Sequence, residues 1–268
     1  MPALNLLRRL VARHASFVLT CAALLALFQF LICAAVSSID VSGILESVLA
    51  SFPPMLQSFL ATEFFGGFTP RGLLAFGWNH PIAHAAGSAV AILLAARAIA
   101  GELESGILEL HLSQPLSRRA YLATCAGFAF GALALVTVAG LVGTAAGQRF
   151  FRLEPFGAAD LARLGVAFFT LQALWYAVTL ALSSFGREGG RVASVAFVVA
   201  LCSYFASAIG GLWERAAFVL PFSPHHRYSP QAILSGREPV AGDLAVLAAV
   251  AAAGLAVAAW RFARRDLP

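Results

Sequence analysis

Residues 121–146, YLATCAGFAFGALALVTVAGLVGTAA, run for 26 positions without one charged side chain. An α-helix needs about 20 mostly apolar residues to cross a hydrocarbon core about 30 Å thick. The stretch therefore predicts a membrane-crossing helix. Working outward, five more runs meet the same requirement, at 16–36, 81–100, 161–182, 192–212 and 244–260. Over all 268 residues, 60% are hydrophobic and only 12% are charged, with a mean hydropathy of +0.83. Soluble domains carry about 25% charged residues, so this chain lacks the polar surface to face water alone. An all-α integral membrane protein with six transmembrane helices is expected. No repeat or soluble linker interrupts it, so residues 1–268 read as a single transmembrane domain.

Composition also excludes functions. All 18 basic residues are arginine, and the phosphate loop of an ATPase needs a lysine. This chain is therefore expected to bind no nucleotide cofactor. The net charge of +5 is spread in small groups between apolar runs, unlike the single basic face of a nucleic-acid-binding domain. Cys21, Cys33, Cys125 and Cys202 all fall inside apolar runs, which fits buried thiols better than a disulfide framework. The first span is too long, and too poor in cleavage-site features, for a removed signal peptide.

Arginine placement sets the orientation, because cytoplasmic loops are enriched in positive charge. With both termini inside, the inner segments hold 11 of the 18 arginines and 5 of the 13 acids, net +6. The outer segments are then net −1. Cytoplasmic N- and C-termini follow. Outside, Ile44, Leu45, Val48, Leu49 and Phe52 repeat at helical spacing with Ser42, Glu46, Ser47 and Ser51 opposite, predicting an interfacial helix that Pro53 and Pro54 end. Residues 216–239, broken by Pro221, Pro224 and Pro230, predict a re-entrant or interfacial hairpin.

Between spans two and three lies GELESGILELHLSQPLSR, residues 101–118. Leu103, Ile107 and Leu110 share one helical face, and Glu102, Ser105 and Glu109 the other. Gly106 weakens this helix, Pro115 breaks it, and Gln114 is pushed toward extended backbone. Ser117 is placed to cap span three, with Arg118 and Arg119 at the headgroups. The result is a short acidic amphipathic helix clamped between two spans, which would pass a push from a partner into both.

The segment resembles the signature region of ABC-2-type permeases, the membrane subunits of one class of ATP-binding-cassette transporter. That family has a glutamate-rich stretch followed by Gly-Thr-Leu-Glu-Leu-Leu-Leu-Ser-x-Pro-x-Ser-Arg after its second span. Matching positions are Glu102, Glu104, Gly106, Leu108, Glu109, Leu110, Leu112, Ser113, Pro115, Ser117 and Arg118; Ile107 and His111 depart from it. A basic lead-in at Leu4–His14 and the closing Arg261–Leu267 also resemble the family.

The resemblance implies a coupling helix, with Gln114 at its end, that docks on a separate ATPase. Two ATPase and two permease copies, identical or related, would assemble in a bacterial plasma membrane. ATP and magnesium would sit on the ATPase, and export is the family's lean. An accessory extracytoplasmic protein would fit a variant in which the assembly transmits force without moving solute itself.

Gln29 and Gln172, polar within spans one and four, are candidates for the substrate path or for helix packing. His80 and His84, four residues apart, with Glu63 would be the ligands of the alternative reading, an intramembrane metal-dependent enzyme. Two histidines do not close a metal site, and the adjacent His225 and His226 point apart beside Arg227. No metal site and no catalytic constellation are expected.

Overall fold

The computed structural model describes residues 2–39, 69–112, 116–235 and 240–265. Helix α1 covers Pro2–Ser37, α2 Pro70–Asn79 and α3 Pro81–Ala96, followed by a π-helical turn at Arg97–Gly101. The inner connection carries α4 (Glu102–Glu104) and α5 (Ile107–Leu112). Then come α6 (Arg118–Phe150), α7 (Ala158–Phe185) and α8 (Gly189–Leu212). Two 3-10 segments, Glu214–Phe222 and Pro224–Arg227, lead to α9 (Pro230–Ser235) and α10 (Val240–Ala263). Six described stretches are long and apolar enough to cross a membrane: Ala3–Ser37, Pro70–Glu104, Arg118–Phe150, Ala158–Phe185, Gly189–Leu212 and Ala241–Ala263. The protein is an all-α, multi-pass membrane protein.

Two boundaries differ from the sequence expectation. The basic lead-in at Leu4–His14 is no separate element, because nothing between Ala3 and Ser37 is a glycine or proline. It continues into the first span as one helix. The second span begins at Pro70, not at Pro81. Thr69 caps α2 by accepting from the Gly72 amide at 3.0 Å, and Pro70 opens it with its fixed φ. Pro81 only bends the path: His80 leaves helical geometry, and its Nδ1 accepts from the Ile82 amide at 3.3 Å. The predicted interfacial helix at residues 44–52, together with Glu63, lies outside the described residues.

Close packing of α1 on α6 rests on glycine. A Cβ on Gly143 would fall 2.2 Å from the Ala26 carbonyl oxygen, and one on Gly147 would meet Cys33 at 2.7 Å. Without a hydrophobic drive between helices in lipid, such backbone approach supplies the van der Waals contact. Helices α3 and α7 form the buried centre, with Phe168, Trp175 and Tyr176 of α7 and Trp78 of α2 almost wholly covered.

The connection between α8 and α10 folds back as a hairpin against α2 and α8. Ser223 Oγ donates to the Ser203 carbonyl at 2.7 Å and Tyr228 OH to the Trp78 carbonyl at 3.3 Å. Arg71 Nε donates to the Leu234 carbonyl at 2.9 Å, while its Nη2 pairs with Asp160. An Arg227–Asp243 ion pair at 2.8 Å joins the hairpin to α10.

Candidate functional site: the clasp around the α3–α6 connection

The π turn leaves helical backbone groups out of step, and a neighbouring span answers them. Ser183 of α7 donates its hydroxyl to the Ala96 carbonyl at 3.1 Å and accepts from the Ala100 amide at 2.9 Å. Tyr121 OH of α6 donates to the Ala98 carbonyl at 2.6 Å. Inserted side chains of this kind stabilise a π-bulge, a feature frequent at functional sites. The start of α8 touches the same turn, because a Cβ on Gly189 would lie 2.8 Å from the Gly101 Cα.

The acids that follow are engaged. Glu102, 6% exposed, pairs with Arg13 of α1. Glu104 Oε2 accepts from the Gly189 amide at 2.8 Å, an anion at the start of α8 where unpaired amides and the helix dipole favour it. Ser105 turns back to the Gly101 carbonyl at 3.0 Å, and Gly106 takes a φ of +71°. That left-handed conformation costs glycine least, and it divides the predicted helix into α4 and α5.

The division corrects the sequence reading of faces. Leu103, Ile107 and Leu110 do not share one helical face, because helical phase is not carried through the positive φ at Gly106. Leu108 is fully buried, whereas Leu110 is 65% exposed beside exposed Glu109. Glu102, expected on one face with Ser105 and Glu109, is the buried acid, while those two are exposed. Ser117 does cap α6, accepting from the Ala120 amide at 3.2 Å. Ser113, Gln114 and Pro115 lie outside the described residues.

The C-terminal arm closes the clasp. Arg118 Nη1 donates to the carbonyls of Phe262 at 3.0 Å and Arg265 at 2.6 Å. Buried Arg265 in turn donates to the carbonyls of Ser184 and Gly186, both at 2.7 Å. These are the last carbonyls of α7, where a cation is favoured. Thus the N-terminal part of α1, the α3–α6 connection, the α7–α8 turn and the chain end meet at one pole of the bundle. Sequence reading missed Arg13, Tyr121, Ser183, Gly189 and Arg265. Only the polar pair Ser183–Ser184 at a span end hinted at it.

A family model described as "ABC-2 family transporter protein" matches residues 8–267. The chain belongs to the ABC-2 transporter family. No curated protein sequence matches it. As an ABC-2 protein it is a membrane permease subunit of an ABC transporter, a class that partners an ABC ATPase and is generally non-catalytic.

The remaining candidates of this ABC-2 chain lie in the interior. Gln29 Nε2 donates to the Gly77 carbonyl at 3.2 Å, and Gln172 Oε1 accepts from Ser88 Oγ at 3.1 Å; both side chains are buried. Each joins two helices. His80 and His84 do not share a site: His80 packs on Phe28 at 5.0 Å, while His84 pairs with His225 at 4.9 Å between ring centroids. His84 Nε2 lies 3.2 Å from Asn79 Oδ1, and His225 Nδ1 lies 2.9 Å from Ser203 Oγ. Among the described residues no three histidine, cysteine or carboxylate side chains converge. The two histidines proposed for a metal-dependent enzyme therefore face different surroundings.

Proposed function

We propose that this permease subunit carries the stroke of a separate ATPase into its spans and so moves a solute outward across a bacterial plasma membrane. Two permease and two ATPase copies form the working unit, and both termini face the cytoplasm. ATP and magnesium belong to the ATPase. The observation that carries this reading is the construction of the α4–α5 connection. Its exposed tip, Glu109 and Leu110, is separated by Gly106 from a base tied to four spans through Glu102, Glu104, Ser183 and Tyr121. A tip that docks and a base that is clasped is what a lever needs. ATP must favour one state of the assembly over the other for the lever to do work.

Glu109→Lys and Leu110→Lys change only exposed side chains, so the bundle still folds. The expected result, with the partner ATPase, is loss of co-purification or of coupled transport at normal membrane levels. Undiminished co-purification and transport in both variants would overturn the docking assignment.

A further inference from the structure

Helices α1 and α6 pack tightly along only part of their length. At Gly143 of α6 the backbone of α1 presses directly on the glycine, and at Gly140 and Gly147 the Leu25 and Cys33 side chains close in. Toward the start of both helices the contact is looser: His14 still meets Phe128 at 6.1 Å between ring centroids, but nothing lies within 4 Å of the Cβ positions of Gly127 and Gly131. The gap is a cleft of about 730 Å³ lined by Leu4, Leu7 and Val11 of α1 and Gly127, Phe128 and Leu135 of α6, among others. Except for Thr124, every lining side chain is apolar or a glycine.

Its place in the fold identifies the occupant. The cleft begins at the pole where Arg13 holds Glu102 and runs inward from there along two membrane-crossing helices. Its volume is that of a small-molecule pocket, whereas a further helix is about 10 Å across and would need a broader trough. Arg8 stands exposed, one turn beyond Leu4 and one before Val11, at the rim of the cleft face. The first 14 residues hold Arg8, Arg9 and Arg13 and no acid. An apolar slot with an arginine on its rim matches a molecule with an acyl tail and a negative head.

We propose that this cleft binds an anionic phospholipid, one acyl chain lying against Gly127 and Gly131 and the headgroup meeting Arg8. The lipid then fills the space that the glycines leave between α1 and α6 and contributes to holding α1 at the angle from which Arg13 reaches Glu102.

The test is native mass spectrometry of the purified full chain in neutral detergent. Phosphatidylglycerol and phosphatidylcholine with identical acyl chains are each titrated in. The expected result is one retained phosphatidylglycerol per chain, held in preference to phosphatidylcholine. Arg8→Gln should reduce that preference about fivefold, the contribution of one cation at an anionic surface. Gly131→Leu fills the slot and should remove both lipids, while Gly131→Ala, too small to fill it, keeps them. Circular dichroism and monodisperse elution of each variant confirm that it is folded.

Equal retention of the two lipids by the unaltered chain would overturn the headgroup assignment. Unchanged lipid retention in Gly131→Leu would overturn the site. If that variant instead shifts the monomer–dimer ratio and leaves lipid counts alone, the cleft is an interface for a second copy and the proposal fails.

Discussion

His225 illustrates what burial does to a single side chain. It lies in the hairpin outside the spans, against His84 at 4.9 Å and Trp175 at 5.4 Å. Desolvation pulls its pKa down to about 4, from about 6.5 for a free imidazole. Below about 6.5 the unfolded hairpin therefore binds a proton that the folded one refuses. The stability from packing this neutral ring is complete above about 6.5 and is lost progressively as pH falls toward 4. Thermal unfolding in detergent should show a lower midpoint at pH 5 than at pH 7.5, and His225→Gln should reduce that difference. An unchanged pH dependence in the variant would show that other groups carry it. At the same scale, Arg8, Glu109 and Leu110 are exposed side chains whose substitution tests recognition without touching the interior.

At the scale of elements, two features decide how helices meet. Gly143 lets α1 and α6 approach until backbone touches side-chain space, so Gly143→Ala forces the helices apart. Overpacking of this kind costs about 1–3 kcal/mol. Folded yield and midpoint should fall sharply for Gly143→Ala and barely move for Gly127→Ala, where the space is open. The second feature is the π turn. Ser183→Ala removes the hydroxyl that bonds the Ala96 carbonyl and the Ala100 amide, both buried. An orphaned buried polar group costs about 1–3 kcal/mol. The turn can recover by reverting to α-helical hydrogen bonding, which rotates α4 and α5 relative to α3. Ser183→Ala should therefore reduce coupled transport more than it reduces the melting midpoint. A proportionate loss of both would mean that Ser183 serves packing alone.

At the scale of the whole molecule, one pole gathers α1, the α3–α6 connection, the α7–α8 turn and the chain end. The proposed orientation places this pole in the cytoplasm. A single cysteine at position 110, in a chain whose four native cysteines are replaced, should react with a membrane-impermeant maleimide only from the cytoplasmic side. Reaction from outside would invert the topology and remove the lever from the ATPase's reach. Arg265 links the chain end to the last carbonyls of α7. Arg265→Gln should thus loosen the α7–α8 turn and increase proteolysis there, while the opposite pole, held by Arg71–Asp160 and Arg227–Asp243, stays protected.

Fold class was written in the sequence because a bilayer imposes a one-dimensional rule. Runs of about 20 apolar residues must cross, and charged residues and proline mark where they stop. The acidic segment at residues 102–110 and the cap at Ser117 were legible for the same reason, since spacing along one helix is local. Which face of that segment is buried was not. That depended on Gly106 taking a positive φ and on Ser183, 83 residues from Ala100, entering the π turn. The partners of Glu102 and Glu104, the pairing of His84 with His225 and the looser contact between the starts of α1 and α6 are likewise set by distant packing. Local sequence carries periodicity and charge, but which side chain answers which exists only once the helices have been laid against each other.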